Sequence, residues 1–536
     1  MTTSLMPRPW YLQGVASGLS AIIGYAAGRF VAWVVRGCGV RTEWSAHTRR
    51  LGWVVLTAVG VVVVPVSMYL GAYWQRVVRD LVGQPREPAS FYIGVLPVAA
   101  ALALGLLLLG RALRFLVRRV ARRLERFLPR PVARLVGIVV VTAGAVFVLD
   151  ESMQRVVLAA AERSARAADQ GTPPGVVQPQ SPLRSGSPAS LEAWETLGSE
   201  GRLFVASGTD AAGIEMVTGA PALEPIRVYA GREAAGPGST PRDVAEHVVA
   251  ELERTAAFDR AVVAVATTTG RGWVNEAVAL SLETVMGGDT AIAAMQYSFL
   301  PSPVAFLADR ESPQAAGRAL LDAVHARLAQ VPQERRPRLV VFGESLGSYG
   351  AQAAFGSGDA IVRDVDGALF VGTPNFAQPW RDLTSGRDPG SREILPVVDA
   401  GAAIRFAARA EDLDLDGAPW GDTRVVFWQH ASDPVVWWSP DLLLGRPDWL
   451  EEPRGPDVDP GMTWIPVVTF WQVTMDMVFS LDAPDGHGHA YGADAVDMWA
   501  AILQPDGWTQ QRRSAARAVV ADLVIEEDGM VGSTTP

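Results

Sequence analysis

Apolar residues follow two unlike patterns along this chain. Up to residue 149 they gather in four long stretches, 11–35, 52–73, 91–109 and 135–149, separated by turns rich in arginine. The second and third are about 20 residues long, enough for a helix to cross the hydrocarbon of a bilayer. Trp53, Tyr73, Trp74, Phe91 and Tyr92 flank them, as aromatic residues do at headgroup depth. The first stretch is interrupted by Arg29 and several glycines and the fourth is short, yet all four are read as membrane helices. Beyond residue 190 short apolar or β-branched runs alternate with amphipathic stretches. Strands are expected at 226–230, 261–266, 290–295, 339–342, 368–371 and 424–428, and helices at 240–255, 274–286, 315–330, 348–355 and 493–503. Near-continuous apolar strands separated by helices are what a parallel sheet covered on both faces requires.

Charge supplies an orientation. Between the third and fourth stretches lie Arg111, Arg114, Arg118, Arg119, Arg122, Arg123, Arg126, Arg130 and Arg134 against Glu125 alone. Arg36, Arg41, Arg49 and Arg50 occupy the turn between the first two, whereas Arg76, Arg79 and Arg86 are offset by Asp80 and Glu87 in the turn between the second and third. The excess of arginine places the first and third turns in the cytoplasm, and four crossings then put the remainder of the chain outside a cell membrane. Residues 111–126 also form an amphipathic pattern suited either to anionic headgroups or to solvent.

With 536 residues, 49% of them hydrophobic, the chain exceeds one ordinary soluble domain. The expected division is a membrane domain at 1–166, a Pro, Gly, Ser and Gln-rich linker at 167–190, and a globular α/β domain at 191–536 with a Trp/Pro-rich insertion at 434–470. The net charge is -10, and the basic residues stand beside apolar spans, which argues against nucleic-acid binding. The one cysteine, Cys38, excludes disulfides within the chain.

The expected strand 339–342 runs at once into Gly343-Glu344-Ser345-Leu346-Gly347. Glycines on both sides of a serine allow a sharp strand-to-helix corner that holds the hydroxyl out into a cleft, with the Leu346 N–H facing any oxyanion formed there. A serine hydroxyl needs a base and a carboxylate to orient that base. In such folds the acid and then the histidine follow the serine along the chain. Asp433 leaves the end of strand 424–428 and precedes Pro434, while Asp441 and Asp448 fall in the insertion. His430 precedes Asp433; His47, His247 and His325 precede Ser345. His487 and His489 remain in the loop DGHGHAYG, and His489, nearer the following helix, is preferred with His487 as the alternative base. Thr268, in the Thr267-Thr268-Thr269-Gly270 turn after strand 261–266, is the candidate second oxyanion donor. Trp437, Trp438, Trp449, Trp464 and Trp471 suit an apolar pocket or lid, or simply the core. Asp412, Asp414 and Asp416 lack the glycine and closing glutamate of a cation loop, so neither metal nor cofactor is expected.

The blocks VATTTGRGWV, GGDTAIAAMQYSFLPS, VFGESLGSYG, LFVGTPNF, QHASDPVVWWSPDLLL and GHGHAYG together resemble the bacterial α/β-hydrolases that carry an N-terminal multi-span membrane domain, and the resemblance covers nearly the whole chain. It implies an α/β-hydrolase-type, mostly parallel sheet and a serine hydrolase with Ser345, Asp433 and His489 as its triad, but no defined substrate. The expectation is therefore a membrane-anchored, esterase- or lipase-like enzyme that cleaves the ester of a lipid or acylated envelope component through an acyl-enzyme. An acyltransferase discharging the same acyl-enzyme to an alcohol, and a non-catalytic membrane scaffold retaining the fold, are the other readings.

Overall fold

The computed structural model describes residues 2–39, 44–147, 162–302, 304–305 and 309–532. Arg41 and the last two residues of the stretch 135–149 lie outside the described residues. The chain forms two compact units: Met1–Ala160 with Pro440–Leu450 and Pro456–Phe479, and Ala161–Ser439 with Glu451–Gly455 and Ser480–Pro536.

In the first unit the apolar stretches become helices α1 (Trp10–Gly37), α2 (Ala46–Leu81), α3 (Val95–Leu124) and α4 (Arg130–Phe147). Among the described residues three helical segments, Trp10–Gly37, Ala46–Leu81 and Ser90–Leu124, are long and apolar enough to cross a membrane. Two glycines of α1 have a packing reason: a Cβ on Gly14 would lie 2.7 Å from that of Val98, and one on Gly18 would lie 2.9 Å from the Ala99 carbonyl oxygen. Residues without side chains at a spacing of four let the backbones of α1 and α3 approach closely.

Much of the expected insertion belongs to this unit and not to the sheet. Its helix Val468–Asp476 ends on a carboxylate that receives the Arg8 guanidinium, Nε to Oδ1 2.6 Å, and the Leu5 N–H at 3.0 Å. Arg8 Nη2 also donates to the Gln472 carbonyl at 2.9 Å, and the Arg8 N–H to Gln75 of α2 at 2.7 Å. Both charges are buried. Burial raises the Asp476 carboxyl pKa against the opposing pull of Arg8 and the backbone N–H groups of Leu5 and Met6.

The second unit is a seven-stranded sheet. Its strands are β1 (Ile226–Ala230), β2 (Val262–Thr267), β3 (Thr290–Met295), β4 (Arg338–Glu344), β5 (Gly367–Val371), β6 (Ile404–Ala407) and β7 (Arg424–Trp428), in the order β1-β3-β2-β4-β5-β7-β6. Every pairing is parallel. Apolar residues along the whole length of each strand are therefore buried on both faces. Helices α5 (Pro241–Arg254), α6 (Glu276–Val285), α7 (Glu311–Leu328), α8 (Leu346–Gln352) and α9 (Ala495–Leu503) are among those that connect and cover the strands. The short edge strand β6 was not expected, because its apolar run IRFA is broken by Arg405. That guanidinium turns away to the carbonyls of Gly401 and Ala418, at 2.9 and 2.8 Å, and lies over the Trp420 ring. Part of the stretch expected as a linker is seated on the sheet edge: the Ser185 N–H donates to the Arg227 carbonyl at 3.0 Å, and the Arg227 N–H to Leu183 at 3.2 Å.

One buried ion cluster bears on the site. Arg227 of β1, fully enclosed, pairs with Glu276 at 2.6 Å and Glu283 at 2.8 Å. It thereby fixes the first turn of α6, whose N-cap is Asn275.

Candidate functional site

β4 is the central strand, and Ser345 alone separates its last residue, Glu344, from α8. Ser345 forms the corner with φ 54° and ψ -120°, a conformation that costs a non-glycine residue about 1–3 kcal/mol. Neighbouring contacts hold it there. A Cβ on Gly343 would lie 2.5 Å from the Gly347 carbonyl carbon, and one on Gly347 would overlap the Thr267 carbonyl oxygen at the end of β2. The Ser345 N–H donates to Val371 of β5 at 2.9 Å, and the Ser345 carbonyl accepts from Tyr349 at 3.0 Å. Ser345 itself is half-buried. Behind the corner, Ser348 and Thr373 share a hydrogen bond of 2.7 Å, and Gln352 Nε2 donates to both hydroxyls at 3.1 Å.

Of the residues singled out from sequence, Asp433 and His489 meet. Asp433 follows β7 and caps the short turn Pro434–Trp437, its Oδ1 accepting from the Val435 N–H at 2.8 Å. Its Oδ2 accepts from His489 Nδ1 at 2.7 Å and from the Tyr491 hydroxyl at 2.8 Å. The carboxylate is wholly buried and the imidazole nearly so. Burial pulls the His489 pKa down, but the adjacent Asp433, its hydrogen bond and the nearby Glu344 outweigh it, so the net displacement is upward. His487 is half-buried at the tight turn that pairs it with Ala490. Leu346 opens α8, and the Thr267–Thr268 turn lies against Gly347, with Thr268 Oγ1 donating to the Met295 carbonyl at 2.8 Å.

The loop carrying His489 is tied to the Asp433 turn by neighbours that sequence reasoning passed over. His430 Nδ1 donates to the Gly488 carbonyl at 3.0 Å, and its ring stacks on Tyr491 with centroids 4.3 Å apart. Ser432 Oγ accepts from the Gly488 N–H at 2.8 Å. Trp437 donates to the His430 carbonyl at 3.2 Å and sits edge-on to Trp380, so it serves the core beneath this turn. Gly372 sits at φ 53°, and a Cβ there would clash with the His489 ring, 2.8 Å from Nδ1.

Glu344 was also passed over, hidden at a variable position of the elbow pattern. Its Oε2 accepts from Asn275 Nδ2, and its Oε1 stands 3.8 Å from His489 Nε2. Burial and the Asp433 charge drive its carboxyl upward, with His489 and the Asn275 hydrogen bond opposing, to about 7. His489 Nε2 is buried with no hydrogen-bond partner among the described residues.

A serine on a strained strand-to-helix corner at the head of the central parallel strand, with an aspartate after a later strand and a histidine after that, defines a protein of the α/β-hydrolase class. The model of the alpha/beta-hydrolase family matches residues 226–516, and the chain belongs to that family. The model of the N-terminus of the same family matches residues 1–208. A comparison with curated proteins finds no match.

Proposed function

We propose that this protein is a membrane-anchored serine hydrolase that cleaves an ester through an acyl-enzyme, with Ser345 as nucleophile, His489 as base and Asp433 as its orienting partner. The observation that carries this reading is the buried 2.7 Å bond from His489 Nδ1 to Asp433. It fixes the tautomer in which Nε2 is the free acceptor, and Nε2 is turned toward the residue immediately before Ser345. Ser345 Oγ attacks the ester carbonyl while its proton passes to Nε2. The same proton then goes to the leaving alkoxide as the C–O bond breaks, and water repeats the cycle on the acyl-enzyme. The N–H of Leu346 and that of Thr268 are the proposed donors to the oxyanion.

The first unit supports a substrate at the bilayer, a lipid or acylated envelope ester, and a site outside the cytoplasm. Arg8 stands just before α1, and its bonds to Gln75 and Asp476 gather the start of α1, the end of α2 and the insertion at one end of the helices. Arg36, Arg49, Arg50, Arg118, Arg122 and Arg123 occupy the opposite ends of α1, α2 and α3. At the insertion's end Arg79 and Arg86 are neutralised by Glu87 and Asp80, at 2.7 and 2.6 Å. An excess of unpaired arginine at the far end favours that end as cytoplasmic.

The test is labelling of the detergent-solubilised full chain with a fluorophosphonate, followed by turnover of p-nitrophenyl esters of graded chain length with and without an acceptor alcohol. Ser345-dependent labelling with a preference for longer acyl chains is expected. An intact protein that takes up no label overturns the reading, and product appearing as the alcohol's ester would redirect it to acyl transfer.

A further inference from the structure

Resting on that reading, we infer that Glu344 is a second carboxylate partner of His489, a positioning residue that stabilises the imidazolium from the Nε2 side while Asp433 holds Nδ1. Three observations converge on it. First, the side chain is pinned: Oε2 accepts from Asn275 Nδ2, and Asn275 is itself fixed as the N-cap of α6, its Oδ1 accepting from the Val278 N–H at 3.0 Å and its Nδ2 reaching the Tyr491 carbonyl at 3.3 Å. Second, the pinned carboxylate leaves Oε1 aimed at the reacting nitrogen. At 3.8 Å it is too far to accept a hydrogen bond that would take Nε2 from the serine, and near enough for its charge to act. Third, both groups are buried, so little solvent screens the pair. The titratable groups around Glu344 are His489, Asp433 and, more weakly, Tyr491, with Asn275 its neutral partner.

The arrangement matters because the proton that leaves Ser345 creates a buried cation. With one carboxylate on each side, that charge is stabilised when it forms on Nε2 and relaxes when the proton moves on to the leaving alkoxide. The proximity also couples two titrations. A single proton held by the pair rests either on Glu344, leaving His489 basic but without its second charge, or on His489, leaving it spent. The ionisations then belong to the pair rather than to either residue.

The experiment compares wild type, Glu344→Gln and Glu344→Asp as full chains in detergent, using p-nitrophenyl butyrate across pH 4.5 to 9 (about two units either side of neutral). Removing the charge lowers the His489 pKa. The acid limb of kcat/KM in Glu344→Gln should therefore move to lower pH by about one unit and collapse from two ionisations to one. Plateau kcat should fall by about 10-fold with KM little changed. Glu344→Asp, whose carboxylate is drawn back from the ring, should show an intermediate shift, and it carries the test if the glutamine variant does not fold. An acid limb in the same place for all three proteins overturns the inference while leaving the hydrolase reading intact. Absence of Ser345-dependent turnover in wild type overturns that reading itself.

Discussion

Tyr491 gives its hydroxyl to Asp433 Oδ2 at 2.8 Å, the same oxygen that receives the His489 imidazole. Asp433 is thus held by three donors, counting the Val435 N–H on Oδ1. Replacing Tyr491 with Phe removes one charge-assisted bond and leaves the pair in place, so kcat should fall by about 10-fold. Asp433→Asn favours the wrong imidazole tautomer, and a loss of about 10,000-fold is expected. Steady-state rates with p-nitrophenyl butyrate separate the two, and equal losses would count against Asp433 as the orienting group.

The corner at Ser345 holds a non-glycine residue at positive φ. Ser345→Ala and Ser345→Gly should both abolish fluorophosphonate labelling. Glycine enters the left-handed φ region freely, so Ser345→Gly should be the more stable of the two variants by about 1 kcal/mol. Thermal unfolding of the three proteins side by side tests this, and an alanine variant as stable as the glycine one would show the corner to be unstrained.

How far these features could be read beforehand depended on the distance over which their causes act. Strands β1 to β5 and β7 are legible because each apolar run is bounded within a few residues by turn chemistry, and the elbow because its glycines flank the serine in a short local pattern. Chain order narrows the partners of Ser345 to Asp433 with His487 or His489, since few histidines follow Ser345, and nearness to the following helix favours His489. Glu344 could not be reached in this way: nothing local marks a glutamate that is buried by Asn275, 69 positions earlier, and by a histidine loop far downstream. The insertion was opaque for the same reason. Its proline and tryptophan content shows that it interrupts the α/β pattern, but its allegiance is decided by Asp476 meeting Arg8 across 468 positions.

That ion pair gives a sharp prediction for the first unit. Both side chains are buried, so removing either one strands the other charge, and Arg8→Ala and Asp476→Ala should each destabilise by about 3–5 kcal/mol. The double replacement Arg8→Met with Asp476→Leu leaves no orphaned charge and should recover most of the loss. Limited proteolysis of residues 440–479 in the detergent-solubilised chain gives the readout: rapid cleavage in both single variants and protection in the double one. Wild-type resistance in both single variants would show that the pair does not hold the insertion.

Glu344 also predicts how stability depends on pH. Its carboxyl titrates ordinarily at 4.5 and is pushed up to about 7 in the folded protein, so between those values the folded chain holds a proton that the unfolded chain has released. The contribution is fully present below 4.5 and is lost as pH rises through about 7. His489, displaced upward from 6.5 chiefly by Asp433 against its burial, acts in the same sense at higher pH. Wild-type stability should therefore decline from acid toward neutral pH, whereas Glu344→Gln, neutral throughout, should lack the Glu344 part of that slope. The interval corresponds to about 3 kcal/mol at most, because coupling to His489 shares the proton between the two groups. Denaturant unfolding followed by tryptophan fluorescence at several pH values gives both curves. Their difference should vanish at acid pH, where both side chains are uncharged, and widen toward neutral, with the variant becoming the more stable protein; parallel curves would mean that Glu344 does not titrate in this window.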